Sequence, residues 1–140
     1  MLSAVRLVAA AISVGLVMTA CGATTKEYTV EQVKRAFAAQ ELRLHVRTYP
    51  SRSPRNRIKF LFKGGAGTLD ADDAPLSVWV ESTAEARKDY NELKRLKSSG
   101  YSVFQVLRRN VVAFNPNDAL PTAKQRRQIR AAMASLPQLD

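Results

Sequence analysis

Cys21 is the only cysteine in the chain, and it follows an uncharged, mostly apolar run over residues 7–18. Because one thiol cannot close a disulfide within the chain, any folded domain has to be held together by an apolar core. The apolar run is about 12 residues long, which is shorter than the roughly 20 residues that a membrane-spanning helix needs. A buried helix of the domain and an uncleaved membrane anchor are two alternatives for this run. The pattern favours a third interpretation, in which the fold begins after Cys21.

The N-terminal residues have the composition of an export signal. Arg6 is the only charged residue before position 26, and the small residues Thr19 and Ala20 lead directly into Cys21. A short positive segment, an apolar stretch and small residues before the cleavage point are typical of secretory signals. The arrangement resembles a bacterial lipoprotein signal peptide. This resemblance implies that residues 1–20 are removed and that the Cys21 thiol carries the lipid, with palmitate as a typical acyl chain.

The same resemblance implies how the chain is organised and where it resides. Residues 21–28 would form a lipid-attached tether, and residues 29–140 would form a single domain. The protein would be exported and anchored to the outer face of the cell membrane or within the cell envelope. Two acyl chains on one residue are what stable lipid anchoring generally takes.

Three segments carry the signature of a helix N-terminus, in which Ser or Thr is followed three residues later by Glu or Gln. These pairs are Thr29 with Gln32, Ser82 with Glu85, and Thr122 with Gln125. Apolar residues recur at helical spacing after each pair. The sequence therefore predicts one helix over about residues 30–40, a second that ends at Gly100, and a third that ends before Pro137.

Between the predicted helices, apolar residues alternate with a period of two, which is typical of strands. Strands are predicted over residues 42–49, 58–63, 76–81, 101–108 and 111–114. Arg109 and Asn110 would form a hairpin turn, in which we expect Asn110 to take the left-handed conformation. The third and fourth of these strands are candidates for parallel neighbours joined by a right-handed crossover.

The resulting order, α-β-β-β-α-β-β-α, predicts an α+β fold. We interpret the strands as apolar on one side, which helices must then cover. We therefore expect a single domain with a five-stranded, mainly antiparallel sheet and three helices packed on one face.

Few residues offer metal-binding or phosphate-binding chemistry. His45 is the only histidine, and we interpret it as a solvated strand residue. The glycine-rich residues 64–67 lack the Lys-Ser/Thr ending of a phosphate-binding loop, so we interpret them as a flexible connector. Asp70, Asp72 and Glu81 match ligand positions of a calcium loop, but Pro75 stands where that loop requires glycine. We therefore expect no metal and no cofactor.

Catalytic chemistry is also scarce. The chain has no Gly-x-Ser-x-Gly motif that would mount a serine nucleophile. We therefore expect a protein that is not an enzyme. A carboxylate-dependent enzyme is the less favoured alternative, with Asp70, Asp72 or Asp73 as its candidate residues.

Charge is distributed unevenly along this chain, whose formal net charge is +10. Residues 41–63 contain seven basic and one acidic side chain, residues 64–92 contain two and seven, and residues 93–140 contain nine and two. The concentrated part of the first segment is a candidate anion-binding patch that consists of Arg43, Arg47, Arg52, Arg55, Arg57 and Lys59. Arginine suits such a patch because its planar fork binds phosphate groups. A solvated surface with no ligand is an equally weighted alternative.

Together with the signal, residues 29–37 and 108–114 resemble small bacterial lipoproteins of unassigned function. The only functional residue that this resemblance implies is Cys21. We expect a non-enzymatic interaction module whose basic patch contacts anionic lipid headgroups or envelope polymers, with no protein partner specified. The alternative is an extracytoplasmic nucleic-acid-binding protein. Nucleic acid is less favoured because Trp79, Tyr49 and Tyr101 are not interleaved with basic residues.

Overall fold

A computed structural model describes residues 26–48 and 65–139 of the chain. Within these residues the chain forms three helices and five strands, in the order α1 (Val30–Ala38), β1 (Leu44–Val46), β2 (Thr68–Ala71), β3 (Ser77–Val80), α2 (Thr83–Ser98), β4 (Gln105–Arg108), β5 (Val111–Phe114) and α3 (Ala123–Ser135). The strands form one sheet in the order β1-β2-β3-β5-β4, and every neighbouring pair is antiparallel. The predicted α+β class, the element order and the five-stranded sheet are confirmed.

Each predicted capping box is present and starts a helix. At α1, the Thr29 Oγ1 accepts a hydrogen bond from the Gln32 N–H at 3.3 Å, and the Gln32 Oε1 accepts one from the Thr29 N–H at 2.9 Å. Reciprocal pairs of the same kind start the other two helices, at Ser82 with Glu85 and at Thr122 with Gln125. Because each box satisfies N–H groups that have no partner inside the helix, the helix starts are determined locally.

The second strand of the sheet is not the one that the alternating pattern predicted. β2 lies in a segment predicted to be a connection, whereas the predicted strand at residues 58–63 lies outside the described residues. Leu69 is the one fully buried apolar residue of β2, and its neighbours Thr68 and Asp70 are polar. This composition does not indicate a strand, because the Asp70 carboxylate is paired with Arg47, which is distant in the sequence.

The helices cover both faces of the sheet, which corrects the prediction that all three pack on one face. On one face, Val78 and Val111 belong to a core cluster with residues of α1 and α3, including Phe37 and Ile129. On the opposite face, α2 packs on the neighbouring strand residues, and that cluster consists of Trp79, Leu93, Val112 and Phe114. Residues 78–80 and 111–114 are continuous apolar runs, so both of their faces need cover. The prediction treated each of these strands as apolar on one face only.

The connection from β3 to β4 also differs from the prediction. The two strands are not parallel neighbours, because β5 lies between them and pairs antiparallel with each. Helix α2 therefore crosses over one intervening strand. As a result, β4 forms an edge of the sheet.

The domain begins before the predicted boundary at residue 29. Tyr28 is 3% exposed and belongs to the core cluster of α1 and α3. The Asn110 side chain binds the Tyr28 backbone at two atoms. The Asn110 Oδ1 accepts from the Tyr28 N–H at 2.7 Å, and the Asn110 Nδ2 donates to the Tyr28 carbonyl at 2.9 Å. Glu27 also contacts the domain, because its Oε1 accepts from the Thr83 N–H at 2.7 Å. Residues 26–28 therefore contact the folded domain, whereas the sequence assigned them to a predicted tether.

The hairpin turn between β4 and β5 differs in one residue from the prediction. Arg109, not Asn110, has the left-handed conformation, with φ of 52°. Asn110 is 1% exposed and turns inward to bind Tyr28. The Arg109 guanidinium donates to the carbonyls of Lys26 and Leu139, at 3.1 and 2.5 Å. The turn thus holds the segments at Lys26 and Leu139 against the sheet.

Candidate functional site

Two members of the predicted basic patch lie among the described residues, and the structure separates them. Arg43 is exposed, whereas Arg47 is 8% exposed. The Arg47 Nε and Nη2 donate to the two carboxylate oxygens of Asp70, at 2.7 Å each, and Nη2 also donates to the Ser77 Oγ at 3.0 Å. Arg47 is therefore a structural cation with a paired charge, which corrects its assignment to the patch. The other four candidates, Arg52, Arg55, Arg57 and Lys59, lie outside the described residues.

Asp70 is held as a carboxylate by this pairing. Partial burial raises the pKa of the Asp70 carboxyl, but hydrogen bonds from Arg47 and Ser77 and the charge of Arg47 outweigh burial, so the pKa lies below its ordinary value. The Ser77 Oγ donates to the Asp70 Oδ1 at 2.6 Å. A carboxyl group with a lowered pKa and bound oxygens is a poor general acid or base near neutral pH. This geometry therefore gives no support to Asp70 as a catalytic residue.

The neighbouring carboxylates do not form a metal-binding cluster with Asp70 in the described part of the chain. The Asp72 Oδ1 lies 2.8 Å from the Nδ1 of His45, and both side chains are about half exposed. Among residues 26–48 and 65–139, no group of three or more His, Cys, Asp and Glu side chains could hold a metal ion. The calcium-loop alternative, which joined Asp70 and Asp72 to Glu81, is therefore not formed by these residues.

The glycine-rich segment is a packed turn where it can be described. The Thr68 N–H donates to the Gly65 carbonyl at 3.0 Å, which closes a turn into β2, and Gly65 has φ of 122°. A Cβ atom at Gly67 would lie 2.3 Å from the Val80 carbonyl oxygen. The Val80 N–H donates to the Gly67 carbonyl at 2.7 Å. At Gly67 the segment is therefore packed against β3, whereas the sequence predicted a connector.

A cleft lies at the outer edge of the sheet, beside the start of β4, with a volume of about 330 Å³. We call it the β4-edge cleft. Its wall consists of Tyr90, Lys94, Lys97 and Ser98 from α2, Val103, Phe104 and Gln105 at the start of β4, and Arg130 from α3. Since α2 and α3 cover opposite faces of the sheet, the cleft extends around the sheet edge. Its size falls within the range of small-ligand sites.

The lining of the β4-edge cleft carries three cations and no acidic side chain. Two of these cations lie over aromatic rings of the same wall. The Lys94 Nζ is 5.9 Å from the centre of the Tyr90 ring, and the Arg130 Cζ is 5.1 Å from the centre of the Phe104 ring. Such contacts hold cationic groups in position without neutralising them. The cleft therefore offers positioned positive charge to an anionic ligand.

Gln105 adds a polar group to this wall. Its Oε1 is buried and has no hydrogen-bond partner among the described residues. A buried amide oxygen without a partner is unfavourable, and a donor on a ligand would satisfy it.

A second basic depression, beside β1, is a weaker candidate. It is lined by Lys34, Arg35, Ala38, Arg43, Leu44 and Asp72, so the exposed patch residue Arg43 lies here. The Asp72 carboxylate stands among the three cations and would repel an anion. For this reason the β4-edge cleft is the better anion site of the two.

The sequence contained one indication of the β4-edge cleft, the excess of basic residues after position 92. Its cations come from two helices that are separated by a hairpin, and the prediction of helices on one face placed no cleft around the sheet edge. The charge pattern of the sequence therefore predicted an anion-binding patch within residues 43–59 instead.

Among the described residues, no helix is both long enough and apolar enough to span a bilayer. Comparisons of the chain with models of protein families, with curated proteins and with solved structures found no match.

Proposed function

We propose that this protein is a lipid-anchored, extracytoplasmic interaction module without enzymatic activity, which binds anionic components of the cell envelope. The observation that carries the proposal is the β4-edge cleft, whose lining combines three cations with no acidic side chain. The anchor is proposed from the sequence, in which Cys21 follows a positive residue, an apolar stretch and small residues. The patch residues Arg52, Arg55, Arg57 and Lys59 stay part of the proposal as a second contact.

The anchored state would bring the basic surface close to its ligands. Because the Arg109 guanidinium binds the Lys26 carbonyl, four residues, 22–25, separate Cys21 from the part of the chain held against the domain. Fully extended, four residues span about 14 Å. Electrostatic attraction to an anionic surface acts over about one Debye length, ~8 Å at physiological salt. A domain on so short a tether remains near that range of the membrane surface.

The first experiment tests the anchor. The protein would be purified from the membrane fraction of a bacterial host and its intact mass measured, with Cys21→Ala as the control. We expect a mass that lacks residues 1–20 and includes a diacylglyceryl group. A product that retains Met1, or a Cys21→Ala variant that is equally membrane-bound, would contradict the anchor.

The second experiment tests the binding surface of the detergent-purified chain, with inorganic polyphosphate as the probe of an anionic polymer. Lys97→Glu combined with Arg130→Glu reverses two charges of the cleft, and Arg87→Glu combined with Lys88→Glu reverses two exposed charges elsewhere. We expect the affinity of the unaltered chain for polyphosphate to fall as salt rises. At fixed salt, the cleft variant should lose at least about tenfold more affinity than the control variant. Equal losses in both variants would contradict a role for the cleft. Tighter binding of single-stranded DNA than of polyphosphate would favour the nucleic-acid-binding alternative.

A further inference from the structure

In the part of the chain that the structure describes, β4 presents an open strand edge beside the cleft. Among the described residues β4 pairs with β5 alone and is the last strand of the sheet. Arg108 and Val111 pair next to the two-residue turn, so in an antiparallel hairpin their backbone groups bond to each other. Bonding then alternates along the strand. The backbone N–H and carbonyl groups of Gln105 and Leu107 therefore point away from β5, toward the open edge.

Cations flank this open edge on both faces of the sheet. Lys94 and Lys97 come from α2, which packs on one face, and Arg130 comes from α3, which packs on the other. Successive side chains of an added strand would point alternately to the two faces. Acidic side chains on either face of such a strand would meet a cation of the cleft.

We propose that the β4 edge binds an extended acidic peptide segment of a partner protein, which adds to the sheet as a sixth strand. This inference rests on the proposed function, because it names the ligand class for the same cleft. Strand addition is an established mode of peptide recognition, in which main-chain hydrogen bonds supply affinity and side-chain contacts supply specificity. A peptide satisfies both the outward N–H and the outward carbonyl groups of Gln105 and Leu107, whereas an ionised phosphate polymer has acceptors only and leaves the carbonyls without a donor.

Charge also argues against a second copy of this chain as the strand. Two β4 edges placed side by side would bring the cations Lys94, Lys97 and Arg130 of both copies into one interface. Like charges at that spacing repel each other. Charge complementarity therefore selects an acidic strand over self-pairing.

The first test measures binding of a fluorescent peptide to the detergent-purified full chain. The peptide has about ten residues, with glutamates that point to both faces of the added strand and threonines between them. Two further peptides carry N-methyl groups on alternate residues, in one register or in the other. We expect one register to weaken binding at least about tenfold and the other to have little effect, because only one register removes N–H groups that face β4. Equal effects of both registers, or no binding of the parent peptide, would overturn strand addition.

Protein variants connect this binding to the cleft. Lys97→Glu combined with Arg130→Glu is expected to lower peptide affinity at least about tenfold, whereas Arg87→Glu combined with Lys88→Glu has a small effect. Thermal unfolding of each variant checks that the fold is intact. Because the peptides of the first test bind the unaltered chain, failure of the cleft variant to fold leaves the register comparison as the decisive result.

Amide hydrogen exchange gives a direct readout of the strand edge. We expect the amides of Gln105 and Leu107 to exchange rapidly in the free chain and to become protected when the peptide binds. Val106 and Arg108 are already paired with β5 and should change little. Unchanged exchange at Gln105 and Leu107 in the presence of bound peptide would overturn the proposal. If polyphosphate binds at the cleft and no acidic peptide does, the proposed function stands and this inference fails.

Discussion

Asn110 and Arg47 are buried polar residues whose side chains bind groups that are distant in the sequence. Asn110 binds the backbone of Tyr28, and Arg47 binds Asp70 and Ser77 on the face of the sheet that carries α2. Buried polar groups are tolerated when their hydrogen-bonding capacity is met. Both residues appeared in the sequence as surface residues, one in a turn and one in a basic patch. Residue type and spacing do not reveal such partners, because the partners come together only in the sheet.

Asp70→Asn is expected to destabilise the fold in a pH-dependent way. The folded pKa lies below the ordinary value of about 3.9. The ion pair therefore stabilises the fold fully above that value, and this stabilisation is lost as the pH falls through the folded pKa. Near pH 7 the variant should lose about 2 kcal/mol in urea unfolding. The difference from the native chain should shrink as the pH falls below about 4.

The control for this prediction is Asp118→Asn, since Asp118 is exposed. It should change the free energy of unfolding by less than about 0.5 kcal/mol. A loss in Asp70→Asn that stays constant from pH 7 to about pH 3 would show that the carboxylate charge is not the stabilising feature.

Asn110→Ala is expected to loosen the junction between the N-terminal segment and the hairpin. The substitution removes both partners of the Tyr28 backbone, and the unpaired N–H and carbonyl groups would stay buried. The loss should be about 3 kcal/mol in urea unfolding. Asn91→Ala, on the exposed side of α2, should have an effect within about 0.5 kcal/mol. Equal effects of the two substitutions would mean that the Asn110 bonds do not contribute.

At the scale of elements, the sequence was informative where local signals decide the structure. The three capping boxes predicted the starts of α1, α2 and α3, because the partners in each box are three residues apart. β2 was missed and α2 was placed on the wrong face, because both depend on contacts between distant segments. The continuous apolar residues of β3 and β5 were the available signal for a sheet covered on both faces.

The placement of α2 predicts which core substitutions change the fluorescence emission of Trp79. Trp79 is the only tryptophan, and it packs edge-on against Phe114 at 4.7 Å between ring centres, in the cluster that contains Leu93. Leu93→Ala should cost about 3 kcal/mol and shift the native Trp79 emission to longer wavelength. Ile129→Ala, on the opposite face, should cost a similar amount and leave native emission unchanged. Equal emission shifts in both variants would contradict two separate helix layers.

At the scale of the whole molecule, some of the described charges are paired locally and the remaining charge is strongly positive. Asp70 pairs with Arg47, Glu92 with Arg95, and Asp72 with His45. Because each contact joins one acidic group to one basic group, these contacts do not reduce the formal net charge of +10. The candidate site belongs to this remainder, since its three cations lie in a wall without acidic side chains. Sequence counting detected the excess charge but not its location, which depends on the two helix layers.

The excess charge predicts that added salt stabilises this protein. Mutual repulsion of cations opposes the compact state, and raising sodium chloride from about 10 to about 150 mM shortens the Debye length from ~30 to ~8 Å. We expect the melting temperature measured by Trp79 emission to rise by about 3–6 °C, which corresponds to roughly 1 kcal/mol for a domain of this size. The Arg87→Glu, Lys88→Glu variant has a lower net charge and should show a smaller rise. A melting temperature that falls with salt would mean that attractive ion pairs outweigh the repulsion. In that case, repulsion among the cations of the β4-edge cleft would not be a source of binding energy for an anion.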